Sequence, residues 1–271
     1  MKSDHDVEKW WSTAITETLP GEVRYRGYPV EEVIGRLSFV ETTWLLLRGE
    51  RPEPRAARLL EAALVAAVDH GPLSPSCAVA RMAISCGVGV NGALGSAINL
   101  LGDSHGGAGE QCLAMLARID EELGRSGGGG DGLSPIVQAA LGAGARVPGY
   151  GKHLHPIDPR AAALCDLLDR GRRDGVVAGR FLDIAREIER QLERRKGRRI
   201  PLNIDGALAV TLGELGFSPP LARGLFIVAR SVGLLAHIAE EQQSGRVNKG
   251  PLPPGLHFRY TGPAPRKLER P

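Results

Sequence analysis

Apolar residues recur along most of the chain at the three- and four-residue spacing of a helix, whereas the alternation typical of half-buried strands is hardly present. The clearest stretch is 179–195, where one helical face is apolar and the other carries arginine and glutamate. Its apolar positions are Phe181, Ile184, Ile188 and Leu192. Along the whole chain the pattern predicts roughly nine or ten helices and no convincing strand. We therefore expect an all-α fold.

Capping residues mark where these helices begin. Ser38 and Glu41 form a capping box ahead of an apolar run, and Gly49 is placed to end that helix. A capping side chain followed by a first-turn proline occurs at residues 74–75, 134–135 and 158–159, and two prolines at 219–220 open the last apolar helix. The first of these signals predicts one long helix that continues to Leu101.

The composition is ordinary for a globular protein, and 271 residues suffice for one large domain or two closely packed ones. A net charge of +3 is too small to indicate a nucleic-acid partner, and an aromatic share of 4% disfavours base-stacking surfaces. We therefore expect no nucleic acid to bind, while an anionic small molecule remains compatible with the charge.

The cysteines and the apolar segments indicate a reducing, aqueous environment. The four cysteines form no CxxC pair, so we expect reduced thiols and no zinc site; they are Cys77, Cys86, Cys112 and Cys165. The first residues lack the apolar stretch of a signal peptide. Residues 78–101 are apolar but include Arg81 and Asn91, which favours a buried helix over a membrane span. We expect a cytoplasmic protein without membrane contact.

A histidine followed by glycines is the first candidate for chemistry. His105 precedes Gly106 and Gly107, and a helix is expected from about residue 109 to residue 123. Such glycines let a ligand approach the backbone, and a helix N-terminus favours an anion or an enolate-like oxygen. The alternative is a glycine-rich turn with an incidental histidine.

A second candidate is the loop formed by Val147, Pro148, Gly149, Tyr150 and Gly151. Backbone amides of a Gly-Tyr-Gly turn can hold a nucleotide or a phosphate group.

Charged residues follow this loop closely. His153 and His155 could form a metal pair, but no third ligand is nearby in the sequence, so we predict no metal site. Asp158 has a structural explanation as a helix cap. Arg160 then falls in the first turn, where a cation gains nothing from the helix dipole. Its position suggests a bound carboxylate, which a guanidinium binds through two parallel hydrogen bonds.

Three further residues have both a structural and a functional interpretation. Asp205 opens an apolar helix and is either its N-cap, which the segment alone favours, or a partly desolvated carboxylate that acts as a base on carbon acids. Arg230 lies on an apolar helix and must be paired or face a ligand. His70 binds a substrate or simply ends its helix.

Taken in order, these segments resemble the citrate synthase superfamily. The resemblance extends over nearly the whole chain, through the motifs at residues 25–32, 38–39, 45–50, 69–70, 105–108, 147–151, 158–160, 203–205, 230 and 260–263. It implies a helical fold with a large domain at 1–105 plus 213–271, a small domain at 106–212, and a homodimer or higher homo-oligomer.

The resemblance also implies a role for each catalytic group. His105 would stabilise the enol or enolate of acetyl-CoA, and Asp205 would transfer a proton at its carbon. Lys152 or His153 would act on the tertiary hydroxyl, because this chain has Lys152 where the family usually has a histidine after Gly-Tyr-Gly.

Substrate binding follows from the same resemblance. His70, Arg160 and Arg230 would hold carboxylates, and residues 147–151 would hold coenzyme A. The CoA thioester is expected as a substrate, and no tightly bound cofactor is expected, because the thioester itself acidifies the neighbouring carbon.

The short chain most resembles citryl-CoA lyases, which are the stand-alone counterparts of the C-terminal region of ATP-citrate lyase. The expected reaction is cleavage of citryl-CoA to acetyl-CoA and oxaloacetate. One alternative is a compact citrate or 2-methylcitrate synthase, and another is a non-catalytic CoA-binding protein.

Overall fold

The computed structural model describes residues 9–126, 132–142, 146–151, 158–253, 255–256, 259 and 261–267. Within these ranges it has eleven helices and one small sheet, which confirms the all-α prediction of the fold class. The helices are α1 (Val30–Val33), α2 (Phe39–Arg48), α3 (Pro54–Ala67), α4 (Pro75–Ser85), α5 (Val90–Asn99), α6 (Ala108–Arg125), α7 (Leu133–Ala140), α8 (Pro159–Arg173), α9 (Arg180–Lys196), α10 (Ile204–Glu214) and α11 (Pro219–Gln243).

The prediction of no convincing strand is wrong near the N-terminus. Strands β1 (Thr16–Leu19), β2 (Glu22–Tyr25) and β3 (Tyr28–Pro29) form an antiparallel sheet in that order. All four residues of β1 are exposed, so no alternation between apolar and polar positions marks it in the sequence. Its turn to β2 depends on Gly21, which has a φ of 81°.

Most of the predicted caps are present. Ser38 and Glu41 form the capping box, and Gly49 ends α2 in the left-handed conformation. Ser74 accepts a hydrogen bond from the amide of Cys77 and so caps α4. The first-turn prolines of α8 and α11 also lie where the sequence predicts them.

Two helix boundaries differ from the prediction. The long helix expected from residue 74 to residue 101 is instead α4 and α5, which are separated at Gly87, where φ is 84°. Ser134 does not cap α7, which begins one residue earlier; its hydroxyl oxygen accepts a hydrogen bond from Gln191 at 2.7 Å.

Packing divides the chain into two compact units. The first comprises residues 1–70 and 101–233, and the second comprises residues 71–100 and 234–271. Helix α10 lies at the centre of the first unit, and every residue from Gly206 to Gly213 is buried. A Cβ on Gly213 would lie 2.8 Å from both Leu113 and Phe181, so glycine permits the close packing of α10 against its neighbours. The predicted large and small domains stay a prediction.

The second unit has a small apolar core and a buried carboxylate. Its core residues are Cys77, Ala80, Ile84, Ala93, Ala97, Leu234 and Ile238. Glu241, whose side chain is fully buried, accepts hydrogen bonds from Arg81 at 2.5 Å and from Lys249 at 2.8 Å. Two cations thus compensate the charge that is removed from water.

Helix α11 is long and apolar enough, by length and composition alone, to cross a membrane. In the first unit, however, its inward side chains belong to the hydrophobic core, as in a core helix of a globular protein; they are Ala222, Leu225, Phe226 and Ala229. From the same helix, Arg223 reaches Asp103 and Arg230 reaches the carbonyl of Ala67.

Candidate active site

The first turn of α10 positions Asp205. The side-chain oxygen of Asn203 accepts hydrogen bonds from the amides of Asp205 at 2.9 Å and Gly206 at 3.2 Å, so Asn203 is the N-cap. The interpretation of Asp205 as the N-cap is therefore wrong, because a residue two positions earlier already provides the cap. Asp205 is the second residue of the helix, where its charge interacts favourably with the helix dipole.

The loop at residues 147–151 is joined to the segment that precedes α10. The amide of Gly151 donates to the carbonyl of Pro201 at 2.8 Å, and the amide of Asn203 donates to the carbonyl of Gly149 at 2.9 Å. The side chain of Asn203 also donates to the carbonyl of Gly151 at 3.0 Å. The backbone amide of Tyr150 donates to the carbonyl of Val147. The amides of both Tyr150 and Gly151 therefore have acceptors within the protein.

Side chains and close packing fix this loop further. The buried hydroxyl of Tyr150 donates to the carbonyl of Ala185 at 2.9 Å, and burial raises the pKa of Tyr150. A Cβ on Gly149 would lie 2.7 Å from the sulfur of Cys112 and 2.8 Å from the Cα of Gly206. Glycine therefore allows the loop backbone to lie against the start of α10.

His105 lies in a tight loop immediately before α6. A backbone bridge between Gly102 and Gly106 closes the loop, and Gly106 has a φ of 90°. A Cβ on Gly107 would lie 2.7 Å from the Cα of Asp103. Backbone geometry therefore requires the two glycines. A glycine-rich turn without a function would require them as well, so a role for His105 must be argued from what its side chain faces.

His105 and Asp205 face the same cavity, which has a volume of about 440 Å³. Asn203 and residues 146–150 also line it, so the loop predicted to bind coenzyme A lies beside the two predicted catalytic residues. Burial lowers the pKa of His105, the charge of Arg230 lowers it further, and the charge of Asp205 acts in the opposite direction. The neutral imidazole is therefore favoured.

Arg160 has a local partner. Its guanidinium donates to both carboxylate oxygens of the buried Asp158, at 3.0 and 2.9 Å, while Asp158 also caps α8 through the amide of Arg160. The capping carboxylate therefore explains the position of Arg160 in a first turn, and the prediction that Arg160 binds a substrate carboxylate stays a prediction. Its third nitrogen donates to the carbonyl of Asp69 at 3.4 Å.

Arg230 is directed to the same end of α3. Its Nε donates to the carbonyl of Ala67 at 3.1 Å, and its guanidinium lies 4.9 Å from the ring centre of Phe226. A Cβ on Gly233 would lie 2.3 Å from the carbonyl oxygen of Val68, so glycine lets α11 approach the end of α3. Arg160 and Arg230 thus both donate to carbonyls of residues 67–69. That they bind substrate carboxylates stays a prediction.

The remaining predicted residues differ in what the structure describes of them. His70 is exposed and directly follows Asp69, to which Arg160 donates. Lys152, His153 and His155 lie outside the described residues, so the predicted roles of Lys152 and His153 stay predictions.

Sequence reasoning missed several residues of this site. Arg146 adds a cation to the cavity lining, and Asn203 joins the loop to α10. Arg223 bonds to Asp103 in the loop at residues 102–107, which carries His105 and is called the histidine loop below. Asn203 could have been found, because it is an excellent N-cap residue two positions before Asp205.

Comparison with known proteins identifies the family. The family model described as the citrate synthase C-terminal domain matches residues 47–250, which include His70, His105, Arg160, Asp205 and Arg230. The chain belongs to the citrate synthase family. The citrate synthase of Haloferax volcanii is 30% identical over 271 residues, covering 96% of this chain and 66% of that protein.

Solved structures in this family include one of similar length. The citryl-CoA lyase of Hydrogenobacter thermophilus is 33% identical, with a TM-score of 0.82, over 96% of this chain and 97% of that chain. The citrate synthase of Thermotoga maritima is 28% identical, with a TM-score of 0.66, over 86% of this chain and 60% of that one. The chain also spans about 60% of the length of the mycobacterial relatives that it matches.

Proposed function

We propose that this protein is a citryl-CoA lyase, which cleaves citryl-CoA to acetyl-CoA and oxaloacetate. The observation that carries the proposal is the match to the Hydrogenobacter thermophilus lyase, which extends over almost the full length of both chains. The citrate synthases of Haloferax volcanii and Thermotoga maritima contain a third or more of their length that this chain does not match.

The reaction breaks the bond between the hydroxyl-bearing carbon and the methylene carbon next to the thioester. A base removes the hydroxyl proton, and that oxygen becomes the ketone of oxaloacetate. The electrons of the broken bond form the enolate of acetyl-CoA, which then takes a proton on carbon. The site must therefore provide a base, a donor to the enolate oxygen and an acid.

His105 is suited to stabilise the enolate oxygen. Because burial and Arg230 favour its neutral form, a ring N–H can donate a hydrogen bond without first transferring its proton fully.

Asp205 is suited to the proton transfer at carbon, since it lines the same cavity and has no capping role. In the cleavage direction, its protonated carboxyl gives a proton to the methylene carbon of the enolate. The hydroxyl proton would go to Lys152 or His153, as the family resemblance implies.

Arg160, Arg230 and His70 would hold the carboxylates of the substrate. Arg160 donates to the carbonyl of Asp69 and Arg230 to the carbonyl of Ala67, so both cations are anchored at the end of α3, next to His70. Residues 147–151 would hold coenzyme A beside Arg146. We also propose a homodimer or higher homo-oligomer in the cytoplasm, without a tightly bound cofactor.

A compact citrate or 2-methylcitrate synthase is the second candidate, supported by the 30% identity to the Haloferax volcanii citrate synthase. A synthase also hydrolyses the thioester, so it releases free coenzyme A. A non-catalytic CoA-binding protein is less well supported, because His105 and Asp205 face one cavity.

The test separates these candidates by their products. Purified protein is given citryl-CoA, oxaloacetate is followed through malate dehydrogenase and NADH, and free thiol is measured in parallel. Oxaloacetate without stoichiometric free thiol supports the lyase. Free coenzyme A and citrate formed from acetyl-CoA and oxaloacetate, faster than cleavage, would instead identify a synthase. No turnover in either direction would favour the binding protein.

A further inference from the structure

Arg223 on α11 bonds to both sides of the histidine loop. Its Nη2 donates to the carboxylate of Asp103 at 2.5 Å, and its Nε forms an ion pair with Glu110. Asp103 lies two residues before His105, and Glu110 lies in the first turn of α6, which follows the loop. Arg223 therefore connects the entry and the exit of the loop to a different helix.

Two helices hold the side of the loop that precedes His105. Gln111 of α6 donates from its side chain to the backbone carbonyl of Asp103 at 3.1 Å. Arg223 of α11 bonds to the carboxylate of Asp103, whose side chain is 81% exposed, so packing contributes little to where that side chain lies. Arg223 thus ties this side of the loop to α11.

Arg223 also lies close to the second predicted catalytic group. It lines a small cavity together with Gly106, Asp205 and Phe226. Phe226 in turn packs against Gly106, since a Cβ there would lie 3.1 Å from its ring, and it stacks with the guanidinium of Arg230. One face of α11 thus supports the histidine loop at the point where His105, Asp205 and Arg230 come together.

We propose that Arg223 is a positioning residue: by bonding to Asp103 and Glu110, it keeps the side chain of His105 in place relative to Asp205. The expected catalytic effect rests on the proposed carbon–carbon bond chemistry, whereas the structural effect on His105 does not. A displacement of a catalytic group by about 1 Å can cost on the order of 100-fold in rate. Loss of Arg223 is therefore expected to lower kcat about 10- to 100-fold.

The stability of the fold should fall only slightly. The contact to Asp103 is exposed and contributes little, whereas the pair with Glu110 is partly buried, so some decrease in Tm is expected. The experiment compares Arg223→Gln with Arg223→Lys, which keeps the charge but provides only one compact donor group. Arg125→Gln is the matched control, since Arg125 also bonds to two carboxylates, those of Glu121 and Glu122, but at the far end of α6.

Two measurements are made on each purified variant. The first is kcat and KM for citryl-CoA cleavage, or for the condensation if the protein proves to be a synthase. The second is the ring signal of His105 in a carbon–proton correlation spectrum at fixed pH without substrate, assigned with His105→Gln. The second measurement needs no turnover, so it tests the positioning role even if the proposed function fails.

The proposal predicts that Arg223→Gln lowers kcat by at least tenfold, shifts or broadens the His105 signal, and leaves KM within about threefold and Tm near that of the parent. Arg223→Lys should recover part of kcat, and Arg125→Gln should match the parent. An unchanged His105 signal, or a kcat within twofold of the parent, would overturn the proposal. A loss of kcat that only follows a loss of Tm would overturn it as well.

Discussion

Replacement of Asp205 by asparagine separates its chemical role from a role in the helix. The change keeps the shape of the side chain and removes its charge and its proton. Because Asn203 is the N-cap of α10, no capping hydrogen bond from residue 205 is lost. The expected structural cost is the interaction of one carboxylate with the helix dipole, about 0.3–1 kcal/mol.

The expected cost in activity is much larger. A general acid or base contributes about 10²–10⁴-fold to the rate, which corresponds to about 2.7–5.4 kcal/mol of activation free energy. If Asp205 transfers the proton at carbon, Asp205→Asn should lose that factor in kcat. Its free energy of unfolding should fall by less than about 1 kcal/mol.

The assay measures oxaloacetate release from citryl-CoA through malate dehydrogenase, and urea unfolding gives the stability. Asp183→Asn is the matched control, because Asp183 also lies in the first turn of a helix but bonds to Arg172 at 2.8 Å. The control should lose about 1 kcal/mol or less and keep its activity. Asp205→Asn with activity within tenfold of the parent would refute the assignment of Asp205 to proton transfer.

Three further predictions concern the substrate arginines, the helix contact beside them and His105. Arg160→Lys and Arg230→Lys should each raise KM for citryl-CoA about tenfold or more, because lysine loses the bidentate geometry; unchanged kinetics in both would remove them from the site. Gly233→Ala should cost about 1–3 kcal/mol in urea unfolding, because its Cβ would overlap the end of α3, whereas Gly224→Ala, which meets nothing within 4 Å, should not destabilise. By NMR, His105 should titrate below 6.5, and Arg230→Met should raise its pKa, since a positive charge nearby disfavours the imidazolium; a pKa that falls or stays constant would contradict this cause.

Much of the fold follows from local signals in the sequence. The side chains of Ser38 and Asp158 are present at helix starts because they accept hydrogen bonds from free amides there. The prolines that open α8 and α11 fit the same position because proline has no amide hydrogen that needs an acceptor. The sheet at residues 16–29 could not be predicted, because β1 is exposed throughout and shows no alternation. The break at Gly87 was missed because a glycine within an apolar stretch also occurs in continuous helices.

The sequence predicts residues for the candidate site but not the contacts between them. His105 and Asp205 are 100 positions apart, and only the family resemblance related them before the structure placed both at one cavity. Local signals were an incomplete guide to the contacts. Asp205 resembled a cap, although Asn203 fills that role, and the position of Arg160, which suggested a ligand, is explained by its bond to Asp158.

Asn203 explains why these parts form one site. It caps α10, which fixes Asp205, and its amide groups bond to the backbone of Gly149 and Gly151, which fixes the predicted coenzyme A loop. The carboxylate of Asp205 and the loop at residues 147–151 are therefore both held by Asn203. A shift of the loop should move the carboxylate as well. His105 belongs to a different segment and is held from α11 through Arg223. The alignment of the two catalytic groups thus depends on two separate contacts. Gly206 lets residues 147–151 lie against the start of α10, and Gly106 lets Phe226 of α11 lie against the loop that carries His105.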